Sequence, residues 1–167
     1  MYNILFEAIN DTHLERITEI YNYYIKNTTV TYHIKEHSKE QMKDILYSDD
    51  PRFNSFAIIN KDDEKLIGYC LICRFKNREA FDICGEVTVY LEPSCCGKGI
   101  GRRALAFLEK EARKQNFHTL VASISGDNEM SLKLFEKNGY EKIAHFKEVG
   151  VKFGKKLDLI YYEKILT

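Results

Sequence analysis

The chain has 167 residues, enough for one domain (1–167) around one buried core, and 44% hydrophobic with 30% charged residues is ordinary globular composition. Lys+Arg and Asp+Glu both number 25, and the zero net charge argues against nucleic acid or an anionic membrane as a general partner. No apolar run approaches the length of a membrane span and Met1-Tyr2-Asn3 opens no signal peptide, so the expected location is cytoplasmic.

Residues 3–9 alternate weakly through Ile4, Phe6 and Ala8 and read as a first strand. Asn10-Asp11-Thr12 supplies N-cap chemistry for a helix with Leu14, Ile17, Ile20, Tyr21 and Tyr24 at helical spacing, ending near Lys26-Asn27. Residues 28–32 are β-branched and irregular, a loop with strand character. Ser38 caps a short helix through Met42, Ile45 and Leu46, which Asp49-Asp50-Pro51 stops. Residues 53–59 and 66–75 form a hairpin around the polar turn 60–64, followed by the charged loop 76–79.

An apolar strand, 86–91, runs into Glu92-Pro93-Ser94-Cys95-Cys96 and then Gly97-Lys98-Gly99-Ile100-Gly101. The helix from 99 to about 115 places Ile100, Ala104, Phe107, Leu108 and Ala112 on one face. Residues 119–125 are a β-branched strand. A further helix starts at Ser125-Gly126-Asp127-Asn128, runs through Met130, Leu132, Leu134 and Phe135, and ends at Asn138-Gly139. Residues 140–166 hold two more strands around Gly150 and Gly154. The order β-α-α-β-β-β-α-β-α-β-β predicts an α/β or α+β sandwich with strands of mixed direction.

Five cysteines without a secretion signal read as thiols. Cys70 and Cys73 have C-x-x-C spacing, but residues three apart in a strand point to opposite faces and cannot chelate one ion. The five histidines show no metal spacing, so no metal is assigned. With 11 Tyr, 10 Phe and no Trp, core and pocket walls should be rich in aromatic rings.

Three glycines at alternate positions leave a row of backbone N–H groups unshielded, and where such a turn opens a helix those groups and the helix dipole suit a phosphate or pyrophosphate. Gly99-Ile100-Gly101-Arg102-Arg103-Ala104 fits a dinucleotide fingerprint in its G-x-G-x-x-A form, with Asp127 at a loosely acceptable distance. That fingerprint puts its first glycine directly after the strand, whereas seven residues separate Leu91 from Gly99, and too few βα units follow. No Gly-Lys-Ser or Gly-Lys-Thr makes a Walker loop. A glycine-rich helix entry with no ligand and a wider turn around a pyrophosphate are the other readings.

Residues 86–104, Asn128 with Ser131, and Glu136-Lys137-Asn138-Gly139-Tyr140 resemble the GCN5-related N-acetyltransferase (GNAT) superfamily. Its acetyl-CoA signature, Gln/Arg-x-x-Gly-x-Gly/Ala, matches Cys96-Gly97-Lys98-Gly99-Ile100-Gly101 with Cys in the first place. Ile20-Tyr21-Asn22-Tyr23-Tyr24-Ile25, Thr29-Val30, Phe75-Lys76-Asn77-Arg78-Glu79-Ala80-Phe81, and Gly150-Val151-Lys152-Phe153-Gly154 with Asp158 are similar to its phosphinothricin acetyltransferase branch. The resemblance implies a mixed, twisted central sheet of about six to seven strands flanked by four helices. It implies acetyl-CoA as co-substrate, a small amino-acid-like amine as acceptor, and a homodimer. Peptide acetylation and non-catalytic acyl-CoA binding are the alternatives.

The same resemblance makes Glu86 the base that takes the amine proton; by itself Glu86 also reads as a solvated edge carboxylate or an ion pair with Arg78. It implies a strand bulge that frees the Val89 N–H toward the thioester oxygen, and backbone of Tyr90 and Leu91 against the pantetheine arm. Cys96, Gly97, Lys98, Gly99, Ile100, Gly101, Arg102, Asn128, Ser131 and Phe135 fall at cofactor positions. Phe135 stands where the wider superfamily often has a Tyr that protonates the leaving thiolate. Tyr24, Thr29, Tyr32, Lys76, Arg78 and Lys152 lie in segments that resemble substrate-facing loops, with Arg78 first choice for an acceptor carboxylate or phosphinate.

Overall fold

The computed structural model describes residues 2–167. Strands β1 (Ile4–Ala8), β2 (Ser55–Asn60), β3 (Lys65–Arg74), β4 (Cys84–Leu91), β5 (Thr119–Ser125), β6 (Glu141–Lys152) and β7 (Lys155–Ile165) make one seven-stranded sheet in the order β1-β2-β3-β4-β5-β7-β6. Four helices flank it: α1 (Leu14–Asn27), α2 (Lys39–Leu46), α3 (Ile100–Lys114) and α4 (Glu129–Lys137). Only β4 and β5 pair in parallel, as the α3 crossover between them requires; every other neighbouring pair is antiparallel.

Strand alternation sends apolar side chains to two separate cores. Ile17, Ile20 and Ile25 of α1 and Met42 of α2 pack on Tyr69 and Leu71, with Cys73 and Tyr90 at the border. Ala104, Leu105 and Leu108 of α3 and Phe135 of α4 pack on the other face, against Ile58, Cys70, Ile72, Val87 and Leu120. Burial of each large aliphatic side chain contributes about 1.5–3 kcal/mol, so both faces hold the sheet rigid. Cys70 and Cys73 do lie on opposite faces, and all five cysteines are thiols.

The element order follows the sequence pattern, with local differences. Asn10 caps a 3-10 turn, Asp11–His13, rather than α1 itself; its Oδ1 accepts from Thr12 N at 2.9 Å. β2 starts two residues later than the apolar run suggests, because Phe53 leaves the strand to pack on Phe117 and under the Arg74 guanidinium. β4 begins at Cys84, so Glu86 lies inside the strand rather than at its start.

The feature that positions the site is the way β4 and β5 part. Their ladder consists of Cys84↔Thr119, Gly85↔Leu120 and Glu86↔Val121 and then stops. β4 continues to Leu91 against β3, and β5 continues to Ser125 against β7. The two halves of the sheet therefore diverge beyond Glu86. The expected bulge is absent: the β3–β4 register runs unbroken from Arg74↔Gly85 to Gly68↔Leu91. Divergence of the strands, not a bulge, is what frees backbone groups here.

Candidate functional site

In an antiparallel strand, the N–H and C=O of one residue point to the same side and alternate along the chain. Ile72 N donates to Asn54 O on the β2 side, and Glu92 N donates to Ile67 O on the β3 side. With the observed register, the peptide groups of Glu86, Thr88 and Tyr90 face β3, and those of Val87, Val89 and Leu91 face β5. Since β5 pairs no further than Glu86↔Val121, the Val89 and Leu91 N–H groups face the gap. Tyr90 is a correction to the sequence expectation: its N–H and C=O belong to the rung with Tyr69, and its ring packs edge-on to Tyr21 at 5.2 Å. Leu91 keeps a free N–H, but its carbonyl accepts from the Tyr24 hydroxyl at 2.6 Å.

Below the gap, after a 3-10 turn (Pro93–Cys95), the chain enters the glycine turn. Cys95 N and Cys96 N donate to Glu92 O and Pro93 O, and the next backbone donor with an acceptor is Arg103 N, to Gly99 O at 3.3 Å. Among the described residues, the N–H groups of 97–102 therefore have no backbone acceptor. Gly97 and Gly99 hold φ of 73° and 79°, left-handed values that side chains resist, and a Cβ on either would enter open space. Gly99 is the N-cap of α3 and supplies no side-chain cap, so the helix presents bare donors at its positive end.

The third glycine has a different cause. A Cβ on Gly101 would lie 3.1 Å from Leu134 Cδ2, so Gly101 lets α3 approach α4. Of the basic residues around the turn, Lys98 Nζ donates to the Tyr2 hydroxyl at 3.2 Å and Arg103 Nη1 to Tyr2 O at 2.5 Å, which leaves Arg102 exposed beside the cradle. Asn128 caps α4 by accepting from Ser131 N at 3.2 Å. Phe135 is buried edge-on against Tyr140, 4.9 Å between centroids, and has no proton to give.

Glu86 is half-buried on the α1 face of the sheet, and its Oε1 accepts from the Ser123 hydroxyl at 2.5 Å. Burial pushes its carboxyl above the usual carboxylate range, while the Ser123 hydrogen bond and the Lys76 charge pull it back. The ion pair with Arg78 does not form. Arg78 is exposed, and the positive charge that acts on the carboxylate is that of Lys76, whose Nζ lies 5.0 Å over the Phe75 ring.

The remaining acceptor candidates divide in two. Tyr24 stands apart from the rest, since its hydroxyl lies on Leu91 O and 3.5 Å from Cys96 Sγ, at the glycine turn; burial pushes that hydroxyl's pKa up. Thr29, Tyr32 and Lys152 converge where residues 28–33 cross from α1 to the β5–β7 half. Thr29 Oγ1 donates to Asp127 Oδ2 at 2.7 Å, Tyr32 OH to Asp158 O at 2.9 Å, and the buried Lys152 Nζ to Thr31 O at 2.9 Å. Lys152 is thus a fastener of this strap. Ser123 has no signal in the sequence, and Asp127 and Asp158, although visible there, are paired with Thr29 and Tyr32 only by long-range register.

The model of the Acetyltransferase (GNAT) domain family matches residues 6–161. The phosphinothricin N-acetyltransferase of Streptomyces coelicolor is 28% identical over 155 residues, 92% of this chain and 91% of that one. The L-methionine sulfoximine/L-methionine sulfone acetyltransferase of Pseudomonas aeruginosa is 30% identical over 152 residues, 90% and 87% of the two chains. A GNAT superfamily phosphinothricin acetyltransferase from Sinorhizobium meliloti, solved in complex with acetyl-CoA, superposes with a TM-score of 0.92 at 27% identity, over 98% of this chain and 88% of that one.

Proposed function

The chain belongs to the GNAT acetyltransferase family, and from that footing we propose that its acceptor is the primary amine of a small amino-acid-like molecule and that Glu86 is the base. The protein is an acetyl-CoA-dependent N-acetyltransferase. Acetyl-CoA supplies an acetyl group already activated as a thioester. The cradle fits it: unpartnered N–H groups at 97–102 suit a pyrophosphate, and the missing β4–β5 rungs suit an extended amide-bearing arm.

In this reading the N–H groups of the glycine turn and the Arg102 guanidinium hold the phosphates. Leu91 N–H meets the pantetheine arm as a strand would, and Asn128 and Ser131 flank it. Val89 N–H donates to the thioester oxygen, where negative charge grows as the amine attacks. A free alkyl-amine is mostly ammonium at neutral pH, so Glu86 takes its proton before the new C–N bond forms. Phe135 cannot protonate the departing sulfur; thiolate, with a thiol pKa near ~8.5, leaves without an acid, and the second proton that the nitrogen sheds as the amide forms passes to solvent.

The observation that carries this reading is Glu86, half-buried and held on the wall of the gap three residues before Val89. Relatives named for phosphinothricin and methionine sulfoximine, both amino-acid-like amines, support the acceptor class. The test is thiol release from acetyl-CoA with free amino acids, methionine sulfoximine, phosphinothricin and short peptides as acceptors. Turnover on a free amino-acid-like amine is expected; turnover on peptides alone sinks the acceptor class. Glu86→Gln should lower kcat at neutral pH by about a hundredfold or more with acetyl-CoA affinity intact. An unchanged rate removes Glu86 as base.

A further inference from the structure

Ser123 follows the last β4–β5 rung by two residues, on the same face of the sheet as its rung residue Val121. It is the first residue on β5 that faces Glu86 from across the widening gap, and its hydroxyl closes that distance to 2.5 Å. Ser123 is exposed and its side chain makes no other hydrogen bond among the described residues. The contact is therefore not one strut of a structural network. A carboxylate has two oxygens, and a donor fixed on Oε1 restricts rotation about the terminal bond while Oε2 stays available.

We propose that Ser123 is a positioning residue for acetyl transfer: its hydroxyl clamps one oxygen of Glu86 across the gap and leaves the other facing the acceptor ammonium. This rests on Glu86 being the base. The clamp also works against burial at this carboxylate. A hydrogen bond to the ionised form favours it, against the burial that disfavours it.

Among the other titratable groups on this face, Glu163 of β7 lies one strand farther off, beyond Val121 in the same cross-strand row. Lys76 contributes a positive charge from the loop after β3. Cys73 of β3 and Cys84 of β4 are pushed by burial up to about 12 and about 11, and burial likewise raises Tyr161 of β7, so all three are neutral through the working range. An acid limb that leaves its position when the Glu86 carboxylate is removed is then that carboxylate's own.

The experiment is the pH profile of kcat/KM for an amine acceptor in wild type, Glu86→Gln, Ser123→Ala and Ser123→Thr, with KM for acetyl-CoA and the thermal midpoint of each. Replacement of the wild-type acid limb in Glu86→Gln by one that follows the acceptor amine's own ionisation, at higher pH, identifies the base. Ser123→Ala should then move the limb to higher pH by about half a unit to one unit and lower kcat about tenfold. Its acetyl-CoA KM and thermal midpoint should be unchanged, and Ser123→Thr, which keeps the hydroxyl, should restore limb and rate. A limb that moves to the amine's ionisation in Glu86→Gln but stays in place in Ser123→Ala overturns the clamp and leaves the base intact. A limb that keeps its wild-type position in Glu86→Gln overturns both.

Discussion

Three glycines in one short turn do two different jobs, and substitution should separate them. Gly99→Ala forces a side chain into a left-handed φ of 79°, which costs about 1–2 kcal/mol locally and distorts the donors that face a phosphate. The expected result is acetyl-CoA affinity weakened about tenfold by calorimetry, with kcat at saturation nearly unchanged. Gly101→Ala adds a methyl 3.1 Å from Leu134 Cδ2 at ordinary helical backbone, where the crowding is offset by better helix propensity, so it should shift the thermal midpoint by no more than a few degrees and spare affinity. The spacing of these glycines was legible in the sequence; the difference between them was not, because it depends on where α4 packs. Glu86 was similarly legible as an acid in an apolar strand. Ser123 was hidden because only the β4–β5 register brings a serine 37 residues away onto that carboxylate.

At the scale of elements, the irregular segment 28–33 acts as a strap between the two halves of the divided sheet. Its fasteners join residues 98, 121 and 126 positions apart: Thr29 with Asp127, Thr31 with Lys152, and Tyr32 with Asp158. Local sequence shows only a β-branched loop there, since nothing within the segment names its partners. Burial alone would raise the Asp127 carboxyl, but hydrogen bonds from Lys155, Ser125 and Thr29 hold it at about 2. A depressed carboxyl contributes fully above its ordinary value of 3.8 and loses that contribution as pH falls through about 2, so the strap stays fastened at every working pH. Asp127→Asn removes the charge that Lys155 pairs with at 2.8 Å. It should raise the acceptor KM about five- to tenfold and leave acetyl-CoA affinity unchanged. Tyr24→Phe should do the reverse, because its hydroxyl serves the Leu91 carbonyl and the Cys96 end of the glycine turn.

For the whole molecule, element order and the mixed sheet could be read from periodicity and from strand–helix alternation, because both depend on local pattern. The gap between β4 and β5 could not, because it is the absence of pairing between two strands that each look complete. The same holds for Tyr90 and Val89, adjacent and similar in sequence yet facing different strands. The exposed Phe146, Val149, Val151 and Phe153 on β6 and its turn would suit a second copy of the chain, in line with the homodimer that the resemblance implies. Sedimentation at micromolar concentration should then give a dimer; a monomer removes that expectation.

The central claim is that acetyl-CoA fills the missing rungs of the sheet and the N–H cradle beneath them. Residue-resolved amide hydrogen exchange with and without acetyl-CoA tests it most directly. Exchange should slow at Val89, Leu91, Gly97 and Gly99, whose N–H groups face the gap or the cradle, while Tyr90, already paired with Tyr69, changes little. Protection that appears elsewhere on the sheet, with Val89 and the glycine turn exchanging as before, would contradict it.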